Sequence, residues 1–408
     1  MKIWLKYLIG VVLGLLGGFF LPASASDSSL GKFFFDFFVN VGRYSLYPML
    51  FFSFTIAVFE LRDERQLLRL SVKTFITIIG MTLLLTIIGV VSVLLVRPAR
   101  ITIFVEEEAV SGSLGVLEGL LSLFPSSGFE ALTQGLYILP LCILAGFAGA
   151  ACATDKNMSK PVVTLFDSLS RICYEIMSFI IEVMAVGMIA VSFFWMVQFK
   201  ALLSTNVFRG FIILLLVDAL IVIFGVYPLL LRMLFKKENP YRILYGCVSS
   251  LLVGFFSGDA NMSLPVMIRH SKESLGVRRR VSSVSLPLFS VFCRAGSALT
   301  CAVSFIVIFN SYSRLSIGFF DVLWITFVSC GLSFLLGRFP SGGVYAALAV
   351  LCGLYSKDYN AAYLILKPAA FFIGAVAAML DNLSAMFGTY IVAKSEGMVH
   401  HRETRFFI

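Results

Sequence analysis

The sequence predicts an all-α polytopic membrane protein, and three observations lead to this fold class. Of the 408 residues, 59% are hydrophobic and only 13% are charged, against about 45–50% and about 25% in ordinary soluble domains. The apolar residues form long runs, several of which exceed the roughly 20 residues that cross a bilayer as a helix. The basic residues collect at the ends of these runs. A soluble globule and a disordered chain are therefore excluded.

Charge, cysteine and histidine usage exclude further classes. The net charge of +9 does not indicate a nucleic-acid partner, because the basic side chains flank apolar runs, as the positive-inside rule describes. The eight cysteines lie in or beside apolar stretches without a C-x-x-C pair, so we expect neither disulfides nor a metal site. Two of the three histidines stand in the C-terminal tail, and we expect no histidine-based catalytic or metal centre.

The first apolar run, residues 7–21, allows two interpretations. Lys2 and Lys6 before it and Ala23-Ser24-Ala25 after it match a cleaved signal peptide, and the run also matches a first transmembrane helix. We expect the helix, since polytopic inner-membrane proteins usually keep this segment as an anchor. The distribution of Lys and Arg, with Glu106-Glu107-Glu108 on an external segment, then predicts a bacterial cytoplasmic membrane protein with both termini in the cytoplasm.

Further helices are predicted at 33–61, 71–96, 131–154, 162–199 and 204–235, but two later segments do not read as simple crossings. Residues 243–273 have basic residues at both ends and a polar centre at 257–263, which predicts a re-entrant hairpin from the cytoplasmic side. Residues 318–356 break at 337–343 between two external loops, which predicts a second, oppositely oriented hairpin. Irregular backbone at membrane depth must be buried or line a wet cavity. Two such hairpins are typical of an inverted-repeat transporter with a substrate site at the midplane.

Four motifs, taken in order, carry a resemblance to one family. They are Leu123-Phe124-Pro125-Ser126-Ser127-Gly128-Phe129, Ser263-Leu264-Pro265-Val266, Ser285-Leu286-Pro287-Leu288 and, as the most specific, Gly388-Thr389-Tyr390-Ile391-Val392-Ala393-Lys394-Ser395-Glu396-Gly397. The chain resembles the dicarboxylate/amino acid:cation symporter family, which includes glutamate and aspartate transporters, over nearly its whole length.

The resemblance implies eight transmembrane helices plus two re-entrant hairpins, assembled as a homotrimer, with a transport domain that slides along a scaffold as an elevator. Residues 1–70 would form scaffold helices 1 and 2, residues 71–100 helix 3 of the transport domain, and residues 101–200 scaffold helices 4 and 5. Residues 201–408 would complete the transport domain with helix 6, hairpin 1 at about 237–273, helix 7 at about 277–310, hairpin 2 at about 318–356 and helix 8 at about 360–397.

The site departs from the family where the resemblance places its charged ligands. The family's cation-binding Asp of helix 7 falls on Ala295. The amine-binding Asp, carboxylate-binding Arg and sodium-binding Asp of helix 8 fall on Gly374, Ala377 and Ala385. The ionisable residues that remain at membrane depth are Asp259, Arg294 and Asp381, which we expect the fold to bring together, because a charge there needs a partner or a wet cavity.

The candidate site residues fall into two groups. The substrate-binding candidates are Asp259, Asn261, Ser263, Arg294, Gly342, Gly343, Asp381 and Ser384. The ion-coupling candidates are Thr82, Cys293, Gly296, Ser297 and Asp381. Arg294 is either a fixed internal cation paired with Asp381 or Asp259, or it replaces a coupling ion or binds a substrate carboxylate while Asp381 takes an amine. We expect no cofactor and no metal beyond Na⁺ as a coupling ion. Asp218, isolated in helix 6, is a further ion or proton ligand candidate.

Three functions compete at this point. The first is a symporter for a small amino acid or (di)carboxylate, driven by Na⁺ or H⁺. The second is a degenerate family member that acts as an ion-independent exchanger, an anion channel or a non-transporting scaffold. The third, an intramembrane aspartyl protease, is disfavoured because Arg294 would keep both carboxylates ionised, whereas such a dyad must share a proton. We therefore expect a transporter and no enzyme, with a small solute and the bilayer as partners.

Overall fold

The computed structural model describes residues 2–20, 29–101, 123–133, 137–236, 238–312, 317–356 and 359–408. The signal-peptide-like Ala23-Ser24-Ala25 and the acidic run Glu106-Glu107-Glu108 lie outside the described residues. The described part of the chain is overwhelmingly helical, which confirms the all-α prediction. Its α-helices are α1 (Ile3–Phe20), α2 (Ser29–Tyr44), α3 (Leu46–Asp63), α4 (Leu67–Val96), α5 (Gly128–Thr133), α6 (Ile138–Cys152), α7 (Lys156–Ser204), α8 (Arg209–Ile221), α9 (Tyr227–Leu234), α10 (Pro240–Ser257), α11 (Ala260–Glu273), α12 (Arg279–Phe292), α13 (Ala295–Tyr312), α14 (Phe319–Ser333), α15 (Gly343–Tyr355) and α16 (Ala370–Ser395).

Eight helical stretches within the described ranges are long and apolar enough to cross a bilayer. Their number equals the prediction, but their membership differs. The predicted helix 4 contributes only α6, whose 15 residues are too short, because the backbone is extended at Tyr137 and the helix begins at Ile138. The stretch that takes the place of helix 4 in this count is Phe319–Arg338, which the sequence assigned to hairpin 2.

Helix α1 packs along α7 through small residues. Gly10, Gly14 and Gly18 repeat every fourth position on one buried face, a spacing typical of close contacts between membrane helices. A Cβ at Gly14 would collide with the hydroxyl of Ser192, and one at Gly18 would lie 2.8 Å from Cβ of Met196. This packing supports the interpretation of the first apolar run as a helix of the folded protein.

Two helical hairpins occupy the segments where the sequence predicts them. In hairpin 1, α10 and α11 are separated by Gly258 and Asp259, and Gly258 adopts a left-handed φ of 61°. In hairpin 2, α14 and α15 are joined by a short 3₁₀ turn (Leu336–Arg338) and an irregular tip that ends at Gly342, with a φ of 70°. Positive φ is costly for residues with a Cβ, so the glycines fix where the chain reverses.

The predicted helix 7 is broken in its middle. Helix α12 ends at Phe292 and α13 begins at Ala295, which leaves Cys293 and Arg294 without regular helical structure. In the most apolar segment of this broken helix, 94% of the residues are buried within the protein. The segment is therefore surrounded by other helices and faces little lipid. The break therefore places a charged side chain at the centre of the bundle.

The C-terminal tail folds back over hairpin 1. The amide of His400 donates to the carbonyl of Gly276 at 2.8 Å. Phe407 is buried and stacks on Tyr245 of α10 with the ring centroids 5.9 Å apart. Lys2, ahead of α1, donates to the carbonyl of Thr404 at 3.2 Å. The tail thus ties the end of α16 to hairpin 1 and to the start of α1.

Candidate functional site

The irregular segments of the two hairpins and of the broken helix meet at one place. At the tips, the amide of Ala260 donates to the carbonyl of Pro340 at 2.9 Å, so hairpin 1 touches hairpin 2. Arg294 reaches the second tip, where its Nη2 lies 3.5 Å from the carbonyl oxygen of Phe339. Three elements that are distant in the sequence therefore form a single site.

Arg294 and Asp381 form a buried ion pair in this site. Nη1 of Arg294 lies 3.6 Å from Oδ2 of Asp381, and each side chain is only 6% exposed. Asp381 also accepts hydrogen bonds from the amide of Ser297 at 3.0 Å and from its hydroxyl at 2.6 Å. Ser297 lies in the first turn of α13, where unpaired amides and the helix dipole favour an anion. The carboxylate is well satisfied, whereas Nε of Arg294 has no hydrogen-bond partner among the described residues.

Gly296 lets the two helices of the pair approach each other. A Cβ at this position would lie 2.6 Å from the carbonyl oxygen of Ala377 and 2.9 Å from the amide nitrogen of Asp381. Both are backbone atoms of α16, so no side chain fits here. The contribution of Gly296 in this structure is the close contact of α13 with α16, which brings Ser297 to Asp381.

The space beside the ion pair is a small pocket, called here the Arg294 pocket. Its lining includes Arg294, Ser297, Gly342, Gly343 and Asp381, and its volume is about 20 Å³. Such a volume holds roughly one water molecule. Five of the predicted site residues therefore share one small pocket, and a larger ligand needs the second tip to move or a neighbouring space to enter.

Asp259 has a different partner from the one expected. It caps α11 by accepting from the amide of Met262 at 2.7 Å, and it forms an ion pair with Arg43, whose Nε lies 3.2 Å from Oδ1. Arg294 is not its partner in the described structure. Of the three ionisable residues, Arg294 and Asp381 pair with each other, whereas Asp259 pairs with Arg43 of α2.

Asn261 and Ser263, both in α11 of hairpin 1, contact different helices. The hydroxyl of Ser263 donates to Oδ1 of Asn382 at 2.9 Å, and Nδ2 of Asn382 donates to the carbonyl of Ser250 at 3.0 Å. Nδ2 of Asn261 lies 3.4 Å from the hydroxyl of Tyr47. Neither candidate is part of the lining of the Arg294 pocket, and Ser263 contributes to holding hairpin 1 on α16.

The remaining candidates do not line the pocket. Cys293 is buried in the helix break and is hydrogen-bonded to Thr82 of α4, whose hydroxyl also donates to the carbonyl of Ile78 at 2.8 Å. Ser384 is hydrogen-bonded to Tyr227. Asp218 is fully buried between α8 and α4, where it accepts from the hydroxyl of Ser92 at 2.8 Å.

Sequence reasoning missed two residues of the site. Arg43 was overlooked because it lies inside an apolar run, although a lone arginine in such a run is itself a signal of function or pairing. Asn382 follows Asp381 in α16 and bonds to Ser250 and Ser263 of hairpin 1, a role that no local pattern reveals.

The site has no cluster typical of a bound transition metal. No group of three or more His, Cys, Asp or Glu side chains occurs among the residues that the structure describes. Oxygen atoms of Asp381 and Ser297 are suitable for a hard cation such as Na⁺. The guanidinium of Arg294, however, is 3.6 Å from the same carboxylate and already balances its charge.

Comparison with known proteins identifies the family. Residues 3–395 match the sodium:dicarboxylate symporter family. The serine/threonine transporter SstT of Streptococcus agalactiae serotype III (strain NEM316) is 23% identical over 370 residues, which cover 88% of this chain and 86% of that protein.

Two other relatives carry different names. The C4-dicarboxylate transport protein of Anaeromyxobacter sp. (strain K) is 26% identical over 325 residues, or 75% of this chain and 70% of that protein. The neutral amino acid transporter B(0) of Oryctolagus cuniculus is 26% identical over 221 residues, or 53% of this chain and 40% of that protein. The relatives are transporters and not enzymes. With a match over nearly its whole length, the chain belongs to the sodium:dicarboxylate symporter family of membrane transport proteins.

Proposed function

We propose that the protein is a secondary active transporter that moves a small amino acid or carboxylate across the bacterial cytoplasmic membrane, coupled to Na⁺ or H⁺. One observation carries the proposal: a buried arginine, whose Nε has no hydrogen-bond partner among the described residues, lines a pocket beneath both hairpin tips. Relatives are named for serine/threonine, neutral amino acids and C4-dicarboxylates. A carboxylate is the group that all these solutes share.

Arg294 is the proposed carboxylate ligand. Its contact with Asp381 at 3.6 Å is too long for a hydrogen bond, and its contact with Phe339 at 3.5 Å is at the limit. A buried donor without a partner is costly, and the planar fork of a guanidinium matches a carboxylate with two parallel hydrogen bonds. A substrate carboxylate would supply those bonds.

Asp381 is the proposed coupling residue. Its charge and that of Arg294 cancel, so a substrate carboxylate would leave the site with one negative charge. A substrate amine, a proton or a Na⁺ held partly by main-chain carbonyls would then restore neutrality. Coupling through Asp381 links uptake to whichever cation takes this place.

The elevator motion, the re-entrant course of the hairpins and the homotrimer belong to the same proposal. Hairpins 1 and 2 touch each other at their tips and contact Arg294 in the helix break and α16, which suits one rigid transport domain. Gly342, with its left-handed backbone and open surroundings, suits a tip that opens as the external gate.

Uptake by the purified protein in proteoliposomes tests the function. L-serine, L-aspartate, succinate and L-phenylalanine are offered with an inward Na⁺ gradient, an inward H⁺ gradient or neither. We expect concentrative uptake of at least one solute under one gradient, and Arg294→Lys should reduce it at least tenfold because Lys cannot form the fork. Arg97→Lys, at an exposed helix end, is the matched control. Absence of uptake of every solute would overturn the proposal.

A second candidate is an ion-independent exchanger or anion channel. The observation that favours it is the fixed cation in the site: Arg294 permanently supplies a positive charge beside Asp381. In that case solute exchange between preloaded vesicles proceeds without a gradient of either cation. The same vesicles, preloaded with unlabelled solute, distinguish the two functions.

A further inference from the structure

A second cavity, called here the aromatic cavity, adjoins the Arg294 pocket. Its volume is about 300 Å³, at the lower end of the range of about 300–1,000 Å³ that is typical of small-molecule sites. No charged side chain occurs in its lining within the described part of the chain. Aromatic side chains from α2, α7, α10, α15 and α16 line it: Phe35, Trp195, Phe255, Phe256, Tyr345 and Phe371.

The two spaces meet at a junction with almost no side chains. Gly258, Ser341, Gly342 and Gly374 line both of them. A Cβ added at Gly342 or at Gly374 would meet no atom within 4 Å. The junction is therefore open because small residues stand there, and a side chain at Gly374 would project into free space between the spaces.

One face of α16 leads from the charged pocket to the junction. Asp381, Ala377 and Gly374 are spaced so that they share this face, and all three line the Arg294 pocket. The seven helical steps from Gly374 to Asp381 correspond to about 10 Å along the helix. A ligand bound to Arg294 at one end therefore has room for its body at the other.

We propose that the transported solute is a monocarboxylate with a large apolar side chain, such as an aromatic amino acid or an arylalkanoic acid. This inference rests on the proposed function and specifies its substrate class. The carboxylate binds Arg294, and the ring passes the glycine junction into the aromatic cavity.

Size and charge both favour this class over small or dicarboxylic solutes. The Arg294 pocket, at about 20 Å³, is too small for more than the carboxylate of a solute. The aromatic cavity, at about 300 Å³, has room for the rest of the molecule. Burial of a ring among aromatic side chains is favourable and geometrically selective. A second carboxylate placed there would lie against rings without a cation to pair it, which is costly.

Measurements of binding and uptake with two groups of solutes test the inference. The reconstituted protein is offered L-phenylalanine, L-tryptophan and 3-phenylpropionate, and separately L-serine, L-aspartate and succinate. Binding is measured as the rise in melting temperature of the purified protein, and transport as uptake into proteoliposomes. We expect the aromatic probes to bind at least tenfold more tightly than the small ones.

Variants of the junction give a second readout. Gly374→Val should reduce the preference for aromatic over small probes at least tenfold, and Gly374→Ala should reduce it less, because the valine obstructs the junction more. Gly331→Val in α14 is the matched control: its Cβ also meets no atom within 4 Å, and it lines neither space. We expect it to leave the preference unchanged.

The outcomes separate this inference from the proposed function. Uptake of L-serine, L-aspartate or succinate without binding of any aromatic probe overturns the inference and leaves the transporter function intact. An aromatic preference that Gly374→Val does not alter also overturns it, since the ring then lies elsewhere. Failure of all six probes to bind or to be transported overturns both.

Discussion

Arg43 and Asp259 join the second helix to the tip of hairpin 1 by a buried ion pair. Nε of Arg43 lies 3.2 Å from Oδ1 of Asp259, and Nη2 contacts the other carboxylate oxygen. The Asp259 side chain is 2% exposed and that of Arg43 is 17% exposed. In the proposed division of the chain, Arg43 belongs to the scaffold and Asp259 to the transport domain, so sliding requires the pair to break.

Substitutions at this pair should distinguish two contributions of Asp259 to stability: its charge and its capping of α11. Asp259→Asn keeps a side chain that caps α11 and loses the charge, whereas Asp259→Ala loses both. We expect Asp259→Ala to be less stable than Asp259→Asn by about 1 kcal/mol. Arg43→Gln leaves a buried carboxylate unpaired, and the double variant Arg43→Gln with Asp259→Asn should recover stability. Melting followed by tryptophan fluorescence measures all four, and strict additivity of the two losses would contradict the pairing.

Asp381→Asn should remove the coupling of transport to a cation. The amide oxygen can still accept from Ser297, but Arg294 loses its counter-ion. We expect uptake to fall about tenfold or more and the remaining uptake to lose its dependence on Na⁺ or pH. The measurement is uptake into proteoliposomes across a series of Na⁺ concentrations and pH values. Asp63→Asn, at the end of α3, is the control, and an unchanged cation dependence in Asp381→Asn would refute the assignment.

Glu238 should make stability depend on pH. Burial opposes ionisation of its carboxyl, but hydrogen bonds from Lys394 at 2.6 Å and Tyr390 at 3.1 Å outweigh it and hold the pKa below its ordinary value of 4.5. Because the pKa is lower in the folded than in the unfolded protein, the stabilisation is present above pH 4.5 and is lost as the pH falls through the folded pKa.

Glu238→Gln tests this dependence. We expect it to lower the melting temperature at pH 7 and to flatten the fall in melting temperature between pH 6 and pH 3.5. Glu403→Gln, whose partner Arg405 is exposed, is the matched control and should follow the wild type. Equal slopes for the wild type and Glu238→Gln would show that this carboxylate contributes no pH dependence.

Phe407→Ala should loosen the C-terminal tail. Phe407 is buried against Tyr245, whereas its neighbour Phe406 is 60% exposed. Loss of the buried ring should cost about 2 kcal/mol, and proteolysis should then cut the tail faster. Phe406→Ala is the control with the same chemical change at an exposed site. Equal melting temperatures and cleavage rates for the two variants would show that the tail does not pack on hairpin 1.

Much of the fold follows from the sequence, because apolar runs and glycine-rich breaks are local signals. The turn at Gly258 and the tip at Gly342 were predicted from such breaks. The ends of helices were less accessible: α7 begins at Lys156 and not near 162, since Asp155 accepts from the amides of Asn157 and Met158 and caps the helix. At 49 residues this helix is about 74 Å long, more than a bilayer of about 30 Å requires.

The ionisable residues at membrane depth could be singled out from the sequence, but their pairing could not. Asp259, Arg294 and Asp381 stood out because charge is rare in apolar segments. Which carboxylate pairs with which arginine depends on tertiary packing, and Arg43 competes for Asp259 from a helix more than 200 residues away along the chain. The glycine junction could likewise not be predicted from the sequence, because it is formed by residues of separate segments that only the folded structure brings together.

The charges of Arg294 and Asp381 cancel, and this affects how the membrane potential acts on the proposed transport domain. If the hairpins and α16 travel together as proposed, this pair crosses the membrane field without net charge, whereas Asp259 leaves Arg43 behind and travels as an anion. One charge moved through 100 mV of membrane potential corresponds to about 2.3 kcal/mol. The membrane potential would therefore act on the carboxylate of Asp259 during the return of the unloaded domain, and Asp259→Asn would remove that contribution to its voltage dependence.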